Sequence, residues 1–405
     1  MHQETRDQVD WKQPFPHEEY VSRQNKVRHA LTENGISGIF VTSPADLTYL
    51  FGYDQIWYSL DTLCSCFLPA DGDGHVFFDN DGHVLLVSIY PEITDVCIFD
   101  RGKVADQIPV IAGEVIGRGW AKGKIAIQPR CYGPHPNHVR KIGAIWEEQG
   151  AEIADGSDLI EDVRVIKSPL EIEVMREAAS IATGAMELAR DSIQEGMRET
   201  ELEAIIVSDM MRHGGGYPGI RTMIGGGPRA GSHHEPPSHR EFQKGDIIHI
   251  DFCASLHRYH VNICRSFAFG DVDQRWIDLY ERNEPMMDLF VREIRPGDSM
   301  VKFHEIGQAF AEENDLARYQ WLIGGYTLGI AIPPDWVGRH RPRPREDIPP
   351  PPLDPRLVMN FENQYDAYTE NWDSAPGCGL IDTLLMTKDG LEILTPMSRK
   401  LEQVG

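Results

Sequence analysis

GDIIHIDFCASLHRYHVNICRSFAFGD, residues 245–271, is the stretch on which the reading of the fold turns. Its two apolar, β-branched runs, GDIIHIDF and RYHVNICRSFAF, read as strands. Immediately upstream lies the glycine-rich GGGYPGIRTMIGGGPRAG, and before it two helical segments, 169–192 and 199–212. Ser168 is placed to cap the first of these, Pro169 fits its first turn, and Glu171 completes a capping box. Downstream, helical spacing covers 274–294 and 300–312. The run RPRPREDIPPPPLDP (341–355) reads as a surface loop, because proline fixes φ and removes backbone donors. Strands at LVMNFE and LIDTLLMT close a mixed α+β domain.

The N-terminal half follows a different rhythm. An amphipathic helix over 18–34 precedes a buried strand in GISGIFVTSP (35–44), and HVFFDN, HVLLVSIY and KIAIQP read as further strands. Alternating helix and strand predict an α/β domain. The break falls in DGSDLIEDVRVIKSP, giving domains 1–162 and 163–405. A chain of 405 residues is too long for one hydrophobic core, which agrees with two domains.

Composition narrows the function class. Hydrophobic residues make up 41% and charged residues 25%, as in ordinary globular proteins. No apolar run reaches the length of a membrane span, and the polar start MHQETRDQVDWKQPFPHEEY lacks a secretory signal, so a cytoplasmic location is expected. A formal net charge of −24 argues against nucleic acid or an anionic membrane as partner. The seven cysteines are scattered without a CxxC pair, so neither a disulfide framework nor a structural zinc site is expected.

The order RVIKSPLEIEVMREA, GDIIHIDFCASLHRYHVNICRSFAFGD, GGYTLGI, MNFEN, IDTLLMTKDG resembles the prolidase, methionine aminopeptidase and creatinase superfamily. EEYVSRQNKVRHALTENGI and DLTYLFGYD extend the resemblance through the N-terminal half. It implies a pita-bread C-terminal domain preceded by a smaller creatinase-type α/β domain, and a homodimer. Metallopeptidases of the superfamily hold two metal ions with two aspartates, a histidine and two glutamates, a hard-donor set suited to divalent cations. Matched position by position, Asp251 and Glu362 are kept. The remaining three positions hold Asn262, Tyr326 and Ile381, although the neighbouring Asp382 is kept. Two ligands of five do not hold a dinuclear site, so no metal and no other cofactor is expected.

The resemblance also implies what remains. His234, in GSHHEPPSHR, matches the catalytic histidine of creatinase, a metal-free relative in which it shuttles a proton. Imidazole suits that task because its ordinary pKa lies near neutrality. Against this stands the plain alternative that His233, His234 and His239 are polar loop residues. Glu362 matches a creatinase active-site glutamate, and Asp251 is an acceptor for a substrate amine or amidinium, or else a relic. Cys264 stands where creatinase has a second glutamate, but nothing adjacent in sequence lowers a thiol pKa, which favours a packed strand cysteine. Tyr326 either bonds the substrate or fills the space of the missing metal. Arg339 corresponds, across a one-residue gap, to an arginine that clamps the substrate carboxylate, with Arg221 and Arg229 as further candidates; surface ion pairs are the alternative for all three. Trp57 and Tyr58 are positioned to cover a cationic ring from the N-terminal domain, or simply to pack it.

GGYTLGIAIPPDWVG and TYLFGYDQIWYS resemble segments of ectoine hydrolase more than of creatinase. The implied activity is metal-independent hydrolysis of a C–N bond in a small amidine, guanidino or cyclic amide compound, a zwitterion or cation. The inserted run at 339–352 and NFENQYDAYTENWDSAPGCGL depart from that pattern and leave the substrate open. Two alternatives stand beside it, a lyase acting on a small osmolyte and a catalytically inactive peptidase-like binding protein.

Overall fold

The computed structural model describes residues 13–57, 61, 63–343 and 350–405. The chain forms two compact units, Met1–Arg164 and Val165–Gly405.

The N-terminal unit runs α1 (His17–Glu33), β1 (Gly38–Val41), α2 (Pro44–Phe51), β2 (Ser65–Pro69), β3 (Val76–Asn80), α3 (Val84–Ser88), β4 (Val96–Phe99), α4 (Val104–Gly117), β5 (Lys124–Ile127), α5 (Pro136–Glu147), β6 (Glu152–Asp155) and α6 (Leu159–Arg164). Its six-stranded sheet has the order β4-β3-β2-β1-β5-β6. Only β2 runs against its neighbours. One expected strand is corrected here: in HVLLVSIY the apolar run forms α3, and the following VCIF forms β4 instead. β3 and β4 are parallel, so the chain must cross back between them, and the helix carries that crossover.

The second unit contains α7 (Pro169–Ser192), α8 (Glu199–Arg212), β7 (Met223–Gly226), β8 (Asp246–Leu256), β9 (Tyr259–Phe269), α9 (Gln274–Asn283), α10 (Pro285–Glu293), α11 (Val301–Glu313), β10 (Gln320–Gly324), β11 (Val358–Asp366), β12 (Gly377–Thr387), β13 (Gly390–Ile393) and β14 (Glu402–Val404). The capping box at α7 is made: Ser168 accepts from the Glu171 amide at 3.2 Å, and Glu171 accepts from the Ser168 amide at 2.7 Å. Helical spacing over 274–294 is divided, because Pro285 supplies no backbone N–H and starts a new helix. The expected surface loop at 341–355 is partly drawn in. Pro352 bridges Ser299 and Leu353 is buried in the core, while 344–349 lie outside the described residues.

The main path of the sheet is β10-β11-β12-β9-β8-β7, antiparallel throughout, with β13 beside β12 and β14 beside β9. Both faces of β8 and β9 are buried, which explains their near-continuous apolar sequence. Alternation along β9 sends Tyr259 towards α7, where its hydroxyl donates to Glu171 at 2.8 Å. It sends Asn262 and Cys264 to the opposite face. On β11, Phe361 packs edge-on against Phe290 of α10 with ring centroids 4.5 Å apart, leaving Asn360 and Glu362 on the other side. Asp382 alternates with Ile381 in the same way. It pairs with Arg265 at 2.6 Å, both fully buried, and removing one partner of such a pair costs about 3–5 kcal/mol. Among the described residues no helix is long and apolar enough to cross a membrane.

Candidate active site

Strand register assembles one row across the second sheet. Met223 stands opposite Asp251, Asp251 opposite Cys264, Cys264 opposite Ile381, and Ile381 opposite Glu362. The two carboxylates therefore flank a thiol and an alkyl group.

On the neighbouring row two amides link them. Asn262 Nδ2 donates to Asp251 Oδ1 at 2.8 Å and to the Phe252 carbonyl at 3.0 Å. Asn360 Nδ2 donates to Asn262 Oδ1 at 2.9 Å and to Glu362 Oε1 at 2.8 Å. Asn360 Oδ1 in turn accepts the Tyr326 backbone amide at 2.8 Å. Tyr326 closes the chain from above: its hydroxyl hydrogen-bonds Glu362 and accepts from Trp336 Nε1 at 3.0 Å. Gly325 makes this approach possible, since a Cβ there would collide with the Asn360 carbonyl oxygen. Both asparagines are completely buried, and every polar atom of their amides that bridges the carboxylates is used.

The electrostatics follow from this wiring. Burial, and then the Glu362 charge, push the Asp251 carboxyl up to about 8, against the single Asn262 donor. Burial raises Glu362 too, opposed by hydrogen bonds from Tyr326 and Asn360 and by the Arg341 charge. The phenol of Tyr326 is held well above its ordinary value by burial and by Glu362. Burial and the Glu362 charge act in the same direction on Asp251, so the pair favours one negative charge, on Glu362, over two.

Above the row opens a cavity of about 660 Å³, lined by His234, Asp251, Tyr326, Glu362, Trp321 and Trp336 among others. This size suits a small organic molecule. His234 reaches it through a turn in which the preceding His233 has φ 63°, a left-handed conformation uncommon for a residue with a side chain. His233 is buried between His249 and Trp321, with ring centroids at 5.4 and 4.7 Å, and burial lowers its pKa to about 2. His234 is exposed and meets the edge of Trp321 at 5.4 Å.

The structure thus brings His234, Asp251, Glu362, Tyr326 and Arg221 to one cavity. Arg221 is engaged by Glu203 through two bonds of 2.6 Å. Arg229 pairs with the buried Glu199 and donates to the Pro236 carbonyl. Arg339 is not among the lining residues; Arg341 and Arg343 are. Cys264 is completely buried, away from the lining, 3.7 Å from His249 Nδ1, with burial and Asp251 holding its thiol well above the ordinary range. Trp57 is exposed on the N-terminal unit and lines a separate cavity there; Tyr58 lies outside the described residues. Asn360, Trp321, Trp336 and Arg341 were not singled out from sequence. For Asn360 a signal existed, since Asn360, Glu362 and Gln364 alternate along one strand face.

A metal does not fit this donor set. One oxygen of each retained carboxylate already accepts an amide N–H, Ile381 offers no donor atom, and Tyr326 is a neutral phenol. Among the described residues no group of three or more His, Cys, Asp or Glu is arranged to hold an ion.

Comparison with known proteins places the chain. The Creatinase/Prolidase N-terminal domain matches residues 23–166 and metallopeptidase family M24 matches residues 173–388. The chain is 25% identical to the ectoine hydrolase of Halomonas elongata over 413 residues, covering 96% of this chain and 98% of that protein. It is 24% identical to the Xaa-Pro dipeptidase of Pyrococcus furiosus over 382 residues, covering 94% and 99%. The dipeptidase structure from Pyrococcus horikoshii OT3 superposes with a TM-score of 0.78 at 20% identity, covering 94% of this chain and all of that one. With its creatinase-type N-terminal domain and pita-bread second domain, the chain belongs to metallopeptidase family M24, a family of hydrolases.

Proposed function

We propose that this protein hydrolyses a C–N bond of a small amidine, guanidino or cyclic amide compound without a metal ion. The carrying observation is the chain Asp251–Asn262–Asn360–Glu362, in which two neutral amides join the carboxylates and add no charged donor between them. A pair of carboxyls holding one proton carries one negative charge, which suits a monocationic amidinium. Glu362, with two donors and the Arg341 charge, is the better anion. Asp251, with one donor, holds the proton and hydrogen-bonds the substrate. Trp321 and Trp336 offer flat faces to a delocalised cation.

Water adds its oxygen to the amidinium carbon and gives one proton to His234 Nδ1 or Nε2. His234 returns that proton to the departing nitrogen as the C–N bond breaks, and the hydroxyl on the carbon gives its proton to the released amine, leaving a neutral carbonyl compound and an ammonium ion. An exposed imidazole at the cavity edge is free to exchange the proton with solvent. Similarity to an ectoine hydrolase supports this class, whereas the Xaa-Pro dipeptidase relatives support peptide substrates.

The test is turnover of ectoine, creatine and an Xaa-Pro dipeptide by chelator-treated protein, with His234→Ala as control. Turnover of ectoine or creatine, reduced at least about 100-fold in His234→Ala, is expected. Activity abolished by chelation and restored by a divalent cation would overturn the reading, as would turnover of the dipeptide alone.

A further inference from the structure

Strand register sets a further row beside the carboxylates of the second sheet. His249 stands opposite Ser266, Ser266 accepts the Gly379 amide at 3.2 Å, and Gly379 stands opposite Gln364. Residues two apart on a strand share a face, so Gln364 lies on the same side as Glu362, about 6.5 Å further along β11. None of these side chains carries a charge. Burial lowers His249 to about 4, and lowers His233, packed on it with ring centroids 5.4 Å apart, to about 2.

Gln364 is the member of the row that lines the cavity. It is 2% exposed, and its Oε1 is enclosed with no partner among the described residues. An enclosed amide oxygen without a donor costs about 1–3 kcal/mol, and a methionine would fill the same space without that cost. Packing therefore does not account for an amide here. Gly379 makes room for it, since a Cβ there would stand 3.2 Å from Gln364 Cγ and 2.8 Å from His249 Cε1. With Oε1 enclosed, the polar atom that meets the cavity is Nε2, a donor that hydrogen-bonds none of the described residues.

Trp321 forms the wall at this end. The register of β10 against β11 shifts between Gln320 and Leu322, and the residue between them is Trp321. A bulge of this kind re-aims a side chain. The indole lines the cavity, lies against His233 at 4.7 Å and meets His234 at 5.4 Å. Leu322, next to it, stands opposite Gln364. The imidazole that carries the proton and the free amide donor thus share one end of the cavity.

We propose that Gln364 is a specificity-determining residue, whose Nε2 donates to a neutral hydroxyl or carbonyl oxygen on the substituent of the departing nitrogen. The inference rests on the amidinium reading of this cavity and narrows it. The row holds no cation, so a single amide donor matches a neutral oxygen and leaves a carboxylate half answered. The substrate is then an amidine or guanidine whose released amine carries a hydroxyl or amide group.

Calorimetric titration of the full chain with 2-hydroxyethylguanidine and propylguanidine, equal in length and differing in one hydroxyl, tests it. The hydroxyl compound should bind at least about fivefold tighter, because propylguanidine leaves the donor unpaired. Gln364→Met should erase that preference and leave propylguanidine within about twofold of its wild-type affinity. The comparison of the two ligands on the native chain stands even if Gln364→Met fails to fold. Binding of neither guanidine overturns the amidinium reading, and this inference with it. Equal affinities, or a preference for the hydroxyl that Gln364→Met leaves intact, overturn this inference alone.

Discussion

Replacing Asn262 by Asp tests the wiring of the central site without disturbing its shape. In the native protein Asn262 Nδ2 donates to Asp251 Oδ1 at 2.8 Å and to the Phe252 carbonyl at 3.0 Å. In Asn262→Asp an oxygen faces those two acceptors. At low pH the new carboxyl is protonated and restores one of the two bonds, for a net loss of about 1–2 kcal/mol. Once ionised it adds a second buried anion to the charge already on Glu362, and the loss grows to about 3–5 kcal/mol. The new group's folded pKa is raised above its unfolded value, so the gap to wild type widens as pH climbs from about 4. For a unit spanning Val165–Gly405, about 2–4 °C per kcal/mol implies a melting temperature about 10 °C lower at pH 8. Thermal melts from pH 5 to 8 in chelator-containing buffer measure this, with Asn262→Leu as a control whose deficit is independent of pH. If Asn262→Asp melts with wild type at pH 8, or the gap does not grow with pH, the donor direction assigned to the amide chain is wrong.

Asp251→Asn should flatten the stability profile on the basic side. The native carboxyl keeps its proton up to about pH 8, whereas the unfolded chain releases it near 4. Its contribution is complete below about 4 and lost as pH rises to about 8, on the order of 5 kcal/mol for a shift of this size; denaturant titrations at pH 5 and 8 read the difference. On the acid side, burial holds His249 and His260 down to about 4. Folded pKa values below the unfolded value stabilise the fold above about 6.5, and that stability is lost as pH falls towards 4. His249→Phe should reduce the acid-induced loss in the same titrations, and an unchanged slope would show that the ring is not neutral in the fold. Added divalent cation should leave the melting temperature of the wild type unchanged within about 2 °C, because a native-state ligand at 100 times its Kd would add about 2.7 kcal/mol; a larger rise would mean that the carboxylates do bind an ion.

The legible parts of the fold are those whose causes are local. Ser168, Pro169 and Glu171 announce the start of α7, and the β-branched runs of β8 and β9 announce strands buried on both faces. VLLVS in α3 was not legible, because its apolar composition fits a buried strand equally well. What decides it is the parallel pairing of β3 with β4, a contact made elsewhere in the chain. In the site, Asp251, Glu362 and Tyr326 follow from motif order and do line one cavity. Trp336 was hidden because its bond to Tyr326 spans ten residues of irregular backbone. The arginines of RHRPRPR illustrate a finer limit: the run guarantees positive charge near the cavity, but only its irregular path determines that Arg341 and Arg343, not Arg339, line it.

The amide chain also bears on why two buried carboxyls are present where a metal site is incomplete. Buried charge without a partner costs several kcal/mol, and well-packed apolar residues in its place are often neutral or stabilising. Structural need is therefore a poor explanation for Asp251 and Glu362. Compare Asp382, which sits on the opposite face of the same sheet and has a cation, Arg265, at 2.6 Å. Asp251 has one amide donor and no cation beside it, and its carboxyl lines a cavity. The amides at 262 and 360 compensate the pair only in part, through neutral donors, and leave it a net negative charge. An incomplete compensation directed into an open cavity is what a site needs if its ligand brings the missing positive charge. A metal would meet only these two carboxyls, since Asn262, Tyr326 and Ile381 add no anionic donor beside them. An amidinium brings its charge together with donors of its own, which the free oxygens of the two carboxyls can accept.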